Sequence, residues 1–187
     1  MRTMTTWVAA AALAWSAAAS AVEVGGVNID EKASVGGQEL VLNGAGVRSR
    51  VFIKVYVGSL YLPAKANALP AVLAKAPRRI QLTVLRNLTA DQLVDALVDG
   101  LKDNNSEAEL AAVQAQVDQM VATMKAFKEV KEKDVVTLDF ANGATQIGLN
   151  GQAKTSIPGD AFNAALTKVW LGDKPVQADL KKAMLGG

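Results

Sequence analysis

Residues 44–62 read GAGVRSRVFIKVYVGSLYL, and this stretch decides the fold. Its second part, residues 50–62, is rich in β-branched and aromatic residues, which predicts a long strand ended by Pro63. The two faces carry Val51, Ile53, Val55 and Val57 on one side and Phe52, Lys54, Tyr56 and Leu60 on the other. Both faces are largely apolar, so we expect a central strand that is covered on both sides. The first part, residues 44–48, predicts a glycine-bearing turn that neighbouring backbone can approach closely.

Periodicity and turn residues outside this stretch predict further strands and helices. Strands are expected over residues 22–29, 38–42 and 79–85, and two Asn-Gly turns predict a meander over residues 135–140, 145–149 and 152–156. Helices are expected over residues 67–75, from Pro158 to Gly172, and over residues 176–185. Two more are expected to begin at capping boxes: one from Thr89 to about residue 102, and one from Ser106 to about residue 127. This order predicts an α+β fold, a mostly antiparallel sheet with helices on one side.

The N-terminus has the three parts of a secretory signal peptide. Arg2 supplies a positive charge, an apolar run extends from Trp7 to Ala19, and residues 19–21 form an A-x-A cleavage site. The run is shorter than the about 20 residues that span a bilayer as a helix. We therefore expect cleavage after Ala21, a periplasmic location, and one domain over residues 22–187 with no membrane span. A retained N-terminal anchor helix is the alternative.

Composition excludes several classes of function. The chain has no cysteine and no histidine, which excludes disulfides, thiol nucleophiles, Ser-His-Asp triads and the usual zinc sites. Asp91, Asp95 and Asp99 repeat on one helix face, but convergent metal ligands rarely come from one face, so a solvated acidic face is expected. A formal net charge of +2 without a basic run disfavours nucleic acid as a partner. We expect no metal and no other cofactor.

Several segments, in this order, resemble the chalcone isomerase family. Residues 42–48 resemble its motif of glycines before an arginine, and residues 52–62 resemble the long strand that follows. Residues 155–158, 171–176 and 179–181 resemble its C-terminal run. The resemblance extends from about Val24 to Leu185. It implies a chalcone isomerase-like fold, in which a large antiparallel sheet is covered by a layer of helices and a ligand cleft lies between them.

The plant enzymes of this family close a chalcone into a flavanone, and an arginine holds the developing phenolate. Arg48 matches that arginine. The remaining polar positions of the enzymes, which are two threonines, a tyrosine, a lysine and an asparagine, fall here at Tyr56, Val169, Leu93, Ala96 and Gly100, respectively. Loss of these polar groups would remove most of the preorganised electrostatic stabilisation that such a reaction uses. The resemblance therefore implies a departure from the enzymes.

Other relatives bind fatty acids, holding the carboxylate with the same arginine and with a tyrosine on the neighbouring strand. Arg48 and Tyr56 resemble that pair. A guanidinium fork can grip a carboxylate with two charge-assisted hydrogen bonds, a tyrosine can add a third, and an apolar cleft can hold the tail. The candidate ligand-binding residues are Arg48, Tyr56, Lys54, Phe52, Leu93 and Val169.

Three functions remain open. The first is non-catalytic binding, in the periplasm, of a small apolar acid of the fatty-acid type. The second is a chalcone isomerase-type intramolecular lyase with a different substrate, in which Arg48 stabilises an oxyanion and Tyr56 or Lys54 moves the proton. The third is an envelope interaction protein whose cleft is vestigial.

Structural features distinguish these three functions. Binding requires an apolar cavity that Arg48 reaches, and catalysis also requires a second titratable group at the reacting atom. Interaction requires a filled cleft and an exposed apolar patch.

Overall fold

The computed structural model describes residues 20–187 of the chain. The predicted signal peptide therefore lies outside the described residues, except for Ser20 and Ala21. The strands are β1 (Ala21–Val24), β2 (Val27–Asp30), β3 (Lys32–Val35), β4 (Gln38–Arg50), β5 (Ile53–Leu62), β6 (Arg78–Val84), β7 (Leu88–Thr89), β8 (Glu129–Val130), β9 (Val135–Ala141), β10 (Ala144–Leu149) and β11 (Gln152–Pro158). The helices are α1 (Leu69–Leu73), α2 (Ala90–Asn104), α3 (Glu107–Ala112), α4 (Gln114–Lys125), α5 (Asp160–Leu171) and α6 (Ala178–Met184).

Seven strands form one antiparallel sheet in the order β11-β10-β9-β6-β5-β4-β3. Helices α2, α4, α5 and α6 bury their apolar stripes against one face of this sheet, in the larger of two apolar cores. The predicted α+β class and the helical layer on an antiparallel sheet are confirmed. No helix among residues 20–187 is long and apolar enough to span a bilayer.

Strand β5 is an interior strand with an apolar core on each side, as its two apolar faces predict. Tyr56, Leu60 and Leu62 belong to the core under the helices. Val57 and Tyr61 belong to a smaller core on the other face, which the β1–β2 hairpin helps to cover. The Tyr61 hydroxyl donates a 2.9 Å hydrogen bond to the backbone oxygen of Asp30, so this buried polar group is satisfied.

The predicted turn over residues 44–48 is wrong, because these residues lie inside β4. Gly44 and Gly46 lie under α6: a Cβ on Gly44 would overlap the backbone oxygen of Ala183, and one on Gly46 would lie 2.7 Å from the Ala183 Cβ. The expectation of a close backbone approach is therefore right, but the element is a strand. These glycines allow α6 to lie directly on the sheet.

Other boundaries differ from the prediction for local reasons. Residues 22–29 form two strands, because Gly25 and Gly26 adopt φ of 65° and 96° and close a tight hairpin. Strand β3 was not predicted. The helix predicted up to residue 127 is divided into α3 and α4 at Val113, which has φ −120° and ψ 15°. Pro158 ends β11 rather than starting a helix. Both capping boxes and both Asn-Gly turns are confirmed.

Candidate ligand-binding cavity

A narrow apolar cavity lies between the sheet and helices α2, α4 and α5. Its volume is about 30 Å³, which is room for about one or two water molecules. The lining residues are Arg48, Tyr56, Leu82, Leu93, Ala96, Leu97, Met124, Val136, Leu138, Ile147, Val169, Trp170 and Val176. The cavity belongs to the larger apolar core, so its walls also support the packing of the helices on the sheet.

Tyr56 is the polar group at the sheet side of this cavity. It is 3% exposed, and its hydroxyl accepts a 2.9 Å hydrogen bond from the indole Nε1 of Trp170 on α5. The guanidinium carbon of Arg48 lies 5.5 Å from the centroid of the Tyr56 ring, within the range of a cation–π interaction. Arg48 and Tyr56 are direct partners in the β4–β5 register, so strand pairing alone brings them together.

Burial raises the pKa of Tyr56 above its usual value, while the positive charge of Arg48 and the hydrogen bond from Trp170 oppose that rise. Tyr56 therefore keeps its proton at neutral pH. Its oxygen accepts from Trp170, and its own O–H is available to donate to a ligand.

Arg48 stands at the boundary between the cavity and a wider outer groove. The groove has a volume of about 570 Å³, and Arg48, Ala96 and Val176 line both spaces. Asp95, Asp99 and Asp103 line the groove on the α2 side. Arg48 is partly buried, and none of the ion pairs formed within residues 20–187 includes it. Within the described residues, its charge is therefore not neutralised by an ion pair.

Gln177, which precedes α6, fixes the strand on both sides of Arg48. Its Oε1 accepts a 2.8 Å hydrogen bond from the backbone nitrogen of Ser49, and its Nε2 donates to the backbone oxygen of Val47 at 3.4 Å. These contacts tie the end of β4 to the helical layer. They hold the backbone from which the Arg48 side chain extends.

The structure brings together four of the six predicted ligand-binding residues. Arg48, Tyr56, Leu93 and Val169 all line the cavity. Lys54 and Phe52 do not. Val55 is an extra residue on β5 that forms a β-bulge, because Arg48 pairs with Tyr56 while Ser49 pairs with Lys54.

The bulge and the adjoining turn explain where Lys54 and Phe52 lie. Val55 packs against the same core as Tyr56, so the alternation of faces is broken and Lys54 is exposed. Phe52 lies in the two-residue turn between β4 and β5, where it is fully exposed. The predicted face shared by Phe52, Lys54 and Tyr56 is therefore wrong.

Trp170 and Gln177 are site residues that the predicted set lacks. Trp170 follows Val169 on the buried face of α5, and its indole N–H needs an acceptor there. The chain has only two tyrosines, which could have suggested the pairing with Tyr56. No pattern in the sequence marks Gln177.

The cavity lining carries few groups that could take part in chemistry. Arg48 and Tyr56 are the only titratable groups among its lining residues, and Tyr56 holds its proton. No group of three or more acidic residues within residues 20–187 is arranged to hold a metal ion.

The sequence matches the chalcone isomerase-like family over residues 21–186, which is almost the whole described chain. The chain belongs to this family. A comparison with curated proteins finds no match.

Among solved structures, this chalcone isomerase-like chain is similar to a fatty-acid binding protein of Arabidopsis thaliana. The identity is 14%, the match covers 89% of this chain and 96% of the plant protein, and the TM-score is 0.65. At this identity the similarity establishes the fold. It confirms the large antiparallel sheet with its helical layer.

Proposed function

We propose that this chain is a non-catalytic binding protein for a fatty acid or a similar amphipathic acid. The observation that carries this proposal is the position of Arg48, a cation without a carboxylate partner in the described chain, at the mouth of an apolar cavity. The carboxylate would meet the Arg48 fork and the Tyr56 hydroxyl, and the tail would lie between α2, α5 and the sheet. The relation to a fatty-acid binding protein of the same fold supports this choice of ligand.

The cavity must widen to hold an acyl chain. A volume of about 30 Å³ holds water but not a long tail. The walls on the helical side are flexible or small, namely Leu93 and Leu97 on α2, Met124 on α4 and Val169 on α5. We expect the ligand to select a conformation in which these side chains move away from Leu138 and Ile147.

The lyase alternative has less support from the geometry. It needs a group that takes a proton from the substrate, and Lys54 is outside the cavity. Tyr56 has a raised pKa, so its hydroxyl keeps its proton at neutral pH and does not accept one from a substrate. The interaction alternative is favoured by one observation, which is the exposed apolar turn at Val51 and Phe52.

Oleate binding below its micelle concentration, measured by titration calorimetry, tests the binding function. We expect Arg48→Ala to weaken oleate binding at least tenfold, because the carboxylate loses its only cation in the cavity. Arg48→Lys should recover part of the affinity, since it restores charge but not the fork. Arg86→Ala is the matched control, because Arg86 is exposed and lines neither the cavity nor the outer groove.

Two results would reject this function. One is wild-type protein that binds neither oleate nor a co-purified organic acid seen by native mass spectrometry. The other is an Arg48→Ala variant that binds oleate as tightly as the wild type. Turnover of a chalcone by the wild type, lost in Arg48→Ala, would establish the lyase instead.

We also propose that the protein is exported to the periplasm. The charge, apolar run and A-x-A site of residues 1–21 support export. The test is the mass of the protein recovered from the periplasm of a bacterial host. A mature N-terminus at Val22 is expected, and recovery of the uncleaved chain from the membrane fraction would indicate the anchor helix instead.

A further inference from the structure

The turn between β4 and β5 differs from every other two-residue hairpin turn in residues 20–187. Four such turns have Gly-Gly or Asn-Gly sequences, at residues 25–26, 36–37, 142–143 and 150–151, and all eight residues adopt positive φ. The β4–β5 turn has the same backbone geometry, with φ of 48° and 66°, but its residues are Val51 and Phe52.

Val51 and Phe52 are poor residues for this geometry. A positive φ is strained for a residue with a Cβ, and most of all for a β-branched one. Packing does not compensate for the strain, because Val51 is 81% exposed, Phe52 101% and Ile53 51%. Both the backbone preference and the burial preference of these residues are violated at once. No contact within the described chain offsets this unfavourable conformation and exposure. The turn is therefore suited to contact a partner outside the chain.

Cations surround this apolar tip, which consists of Val51, Phe52 and Ile53. Arg50 and Lys54 flank it, and both are exposed. Arg86 is exposed in the bend that follows β6, just after Leu85, whose backbone nitrogen donates to the Val55 oxygen. Residues 48–54 include no acid, and none of these cations joins an ion pair within residues 20–187.

We propose that the Val51–Ile53 tip docks the protein on an anionic lipid bilayer. The exposed tip lies at the end of the β4–β5 hairpin and would insert its apolar side chains among the acyl chains. Arg50, Lys54 and Arg86 lie where they would contact the lipid phosphates. The charge of these residues complements an anionic surface, and that selects a bilayer over a second copy of this chain, which would bring the same cations together.

This docking goes beyond ligand binding and does not depend on it. It also has a consequence for the cavity. Arg48 is two residues before Arg50 on the same strand, so a docked tip would bring the cavity mouth to the bilayer surface. An amphipathic acid could then pass between the bilayer and the cavity without crossing bulk water.

Vesicle co-sedimentation tests the docking. Residues 20–187 include every described element and both apolar cores, so this part is used without residues 1–19, whose apolar side chains would bind lipid themselves. We expect binding to vesicles of three parts phosphatidylcholine to one part phosphatidylglycerol, and at least tenfold weaker binding to phosphatidylcholine alone.

Two double variants separate docking from folding. Val51→Asn with Phe52→Gly installs the turn sequence used at residues 142–143, so it should raise the thermal midpoint while reducing vesicle binding at least tenfold. Arg50→Gln with Lys54→Gln should reduce binding to anionic vesicles at least tenfold. Lys65→Gln with Lys182→Gln is the matched control for charge, because both lysines are exposed at the other end of β5.

A Phe52→Trp variant adds a reporter at the tip. Trp170 is the only other tryptophan in residues 20–187, and it is buried. We expect lipid brominated on its acyl chains to quench the new emission. The proposal is overturned if the wild type does not bind anionic vesicles, if the Asn-Gly variant binds as well as the wild type, or if concentration-dependent dimers bury the tip. Because oleate binding is measured without vesicles, failure here leaves the binding function intact.

Discussion

Trp170 and Tyr56 join α5 to β5 through a single 2.9 Å hydrogen bond in a buried apolar environment. The bond satisfies the indole N–H, which has no other partner there, and orients the phenol beside Arg48. Both residues line the cavity, so the bond also forms part of its wall. This hydrogen bond therefore links the stability of the helical layer to the shape of the cavity.

A Tyr56→Phe change should lower the free energy of unfolding by about 1–3 kcal/mol, because it leaves the Trp170 N–H buried without an acceptor. Urea unfolding of Tyr56→Phe, Trp170→Phe and the double variant measures the coupling. We expect the double variant to lose less than the sum of the singles, by about 0.5–1.5 kcal/mol. Additive losses would show that the hydrogen bond contributes little.

A larger side chain at Ala96 should close the site without unfolding the protein. Ala96 is partly buried on the wall shared by the cavity and the outer groove. Ala96→Leu keeps a strong helix former, so the free energy of unfolding should change by less than about 1 kcal/mol. Oleate affinity should fall at least tenfold in calorimetry. Ala108→Leu, at an exposed position of α3, is the control. Unchanged affinity in Ala96→Leu would place the acid elsewhere.

The contact of α6 with β4 should tolerate no added methyl group. Gly46→Ala should cost about 1–3 kcal/mol of stability, because its Cβ would lie 2.7 Å from that of Ala183. Adding Ala183→Gly removes that overlap, so the double variant should lose less than the two single variants together. Denaturant midpoints of the three proteins check this. If the losses are additive, α6 moves away from the sheet instead.

The ion pair between Lys168 of α5 and Glu109 of α3 should make stability depend on acid pH. The Lys168 ammonium, 2.8 Å from Glu109 Oε1, and the Ser106 cap lower the pKa of that carboxyl to about 2. A lowered folded-state pKa stabilises the fold above the unfolded pKa of about 4.3, and this stabilisation is lost as pH falls toward 2.

The measurement is the urea midpoint of Lys168→Gln and of the wild type between pH 7 and pH 2. We expect the variant to be less stable at pH 7, and the difference to shrink below about pH 4.5. Lys102→Gln, an exposed lysine in the last turn of α2, is the control for loss of one charge. A difference that stays constant with pH would mean that the pair does not shift Glu109.

Much of the architecture follows from local patterns that the sequence carries. The capping boxes at Thr89 and Ser106 mark helix starts, because their side chains satisfy backbone N–H groups within one turn. The Asn-Gly pairs at residues 142–143 and 150–151 specify hairpins, because few other residues adopt positive φ easily. The alternation along β5 predicts a strand buried on both faces, and the two cores confirm it.

On β4 and β5, the residues of the candidate site were predictable only where the two strands keep their regular pairing and alternation of faces. The resemblance to the family led to Arg48, and the pairing of β4 with β5 places Tyr56 beside it. The bulge at Val55 interrupts that regularity and moves Lys54 out of the cavity. A bulge depends on how two distant strands pair, so the alternation of residues along one strand does not reveal it.

By itself, then, the sequence determined most of the helices and strands and the fold class, because these depend on preferences of residues close together in the chain, and its resemblance to the family pointed to Arg48. Tertiary structure alone decided the bulge, the bond between Trp170 and Tyr56, the narrow cavity and the exposed Val51–Phe52 turn. Each of these depends on which surfaces meet after folding. Packing among segments far apart in the chain sets the width of a cavity and the exposure of a turn, and local preferences do not determine it.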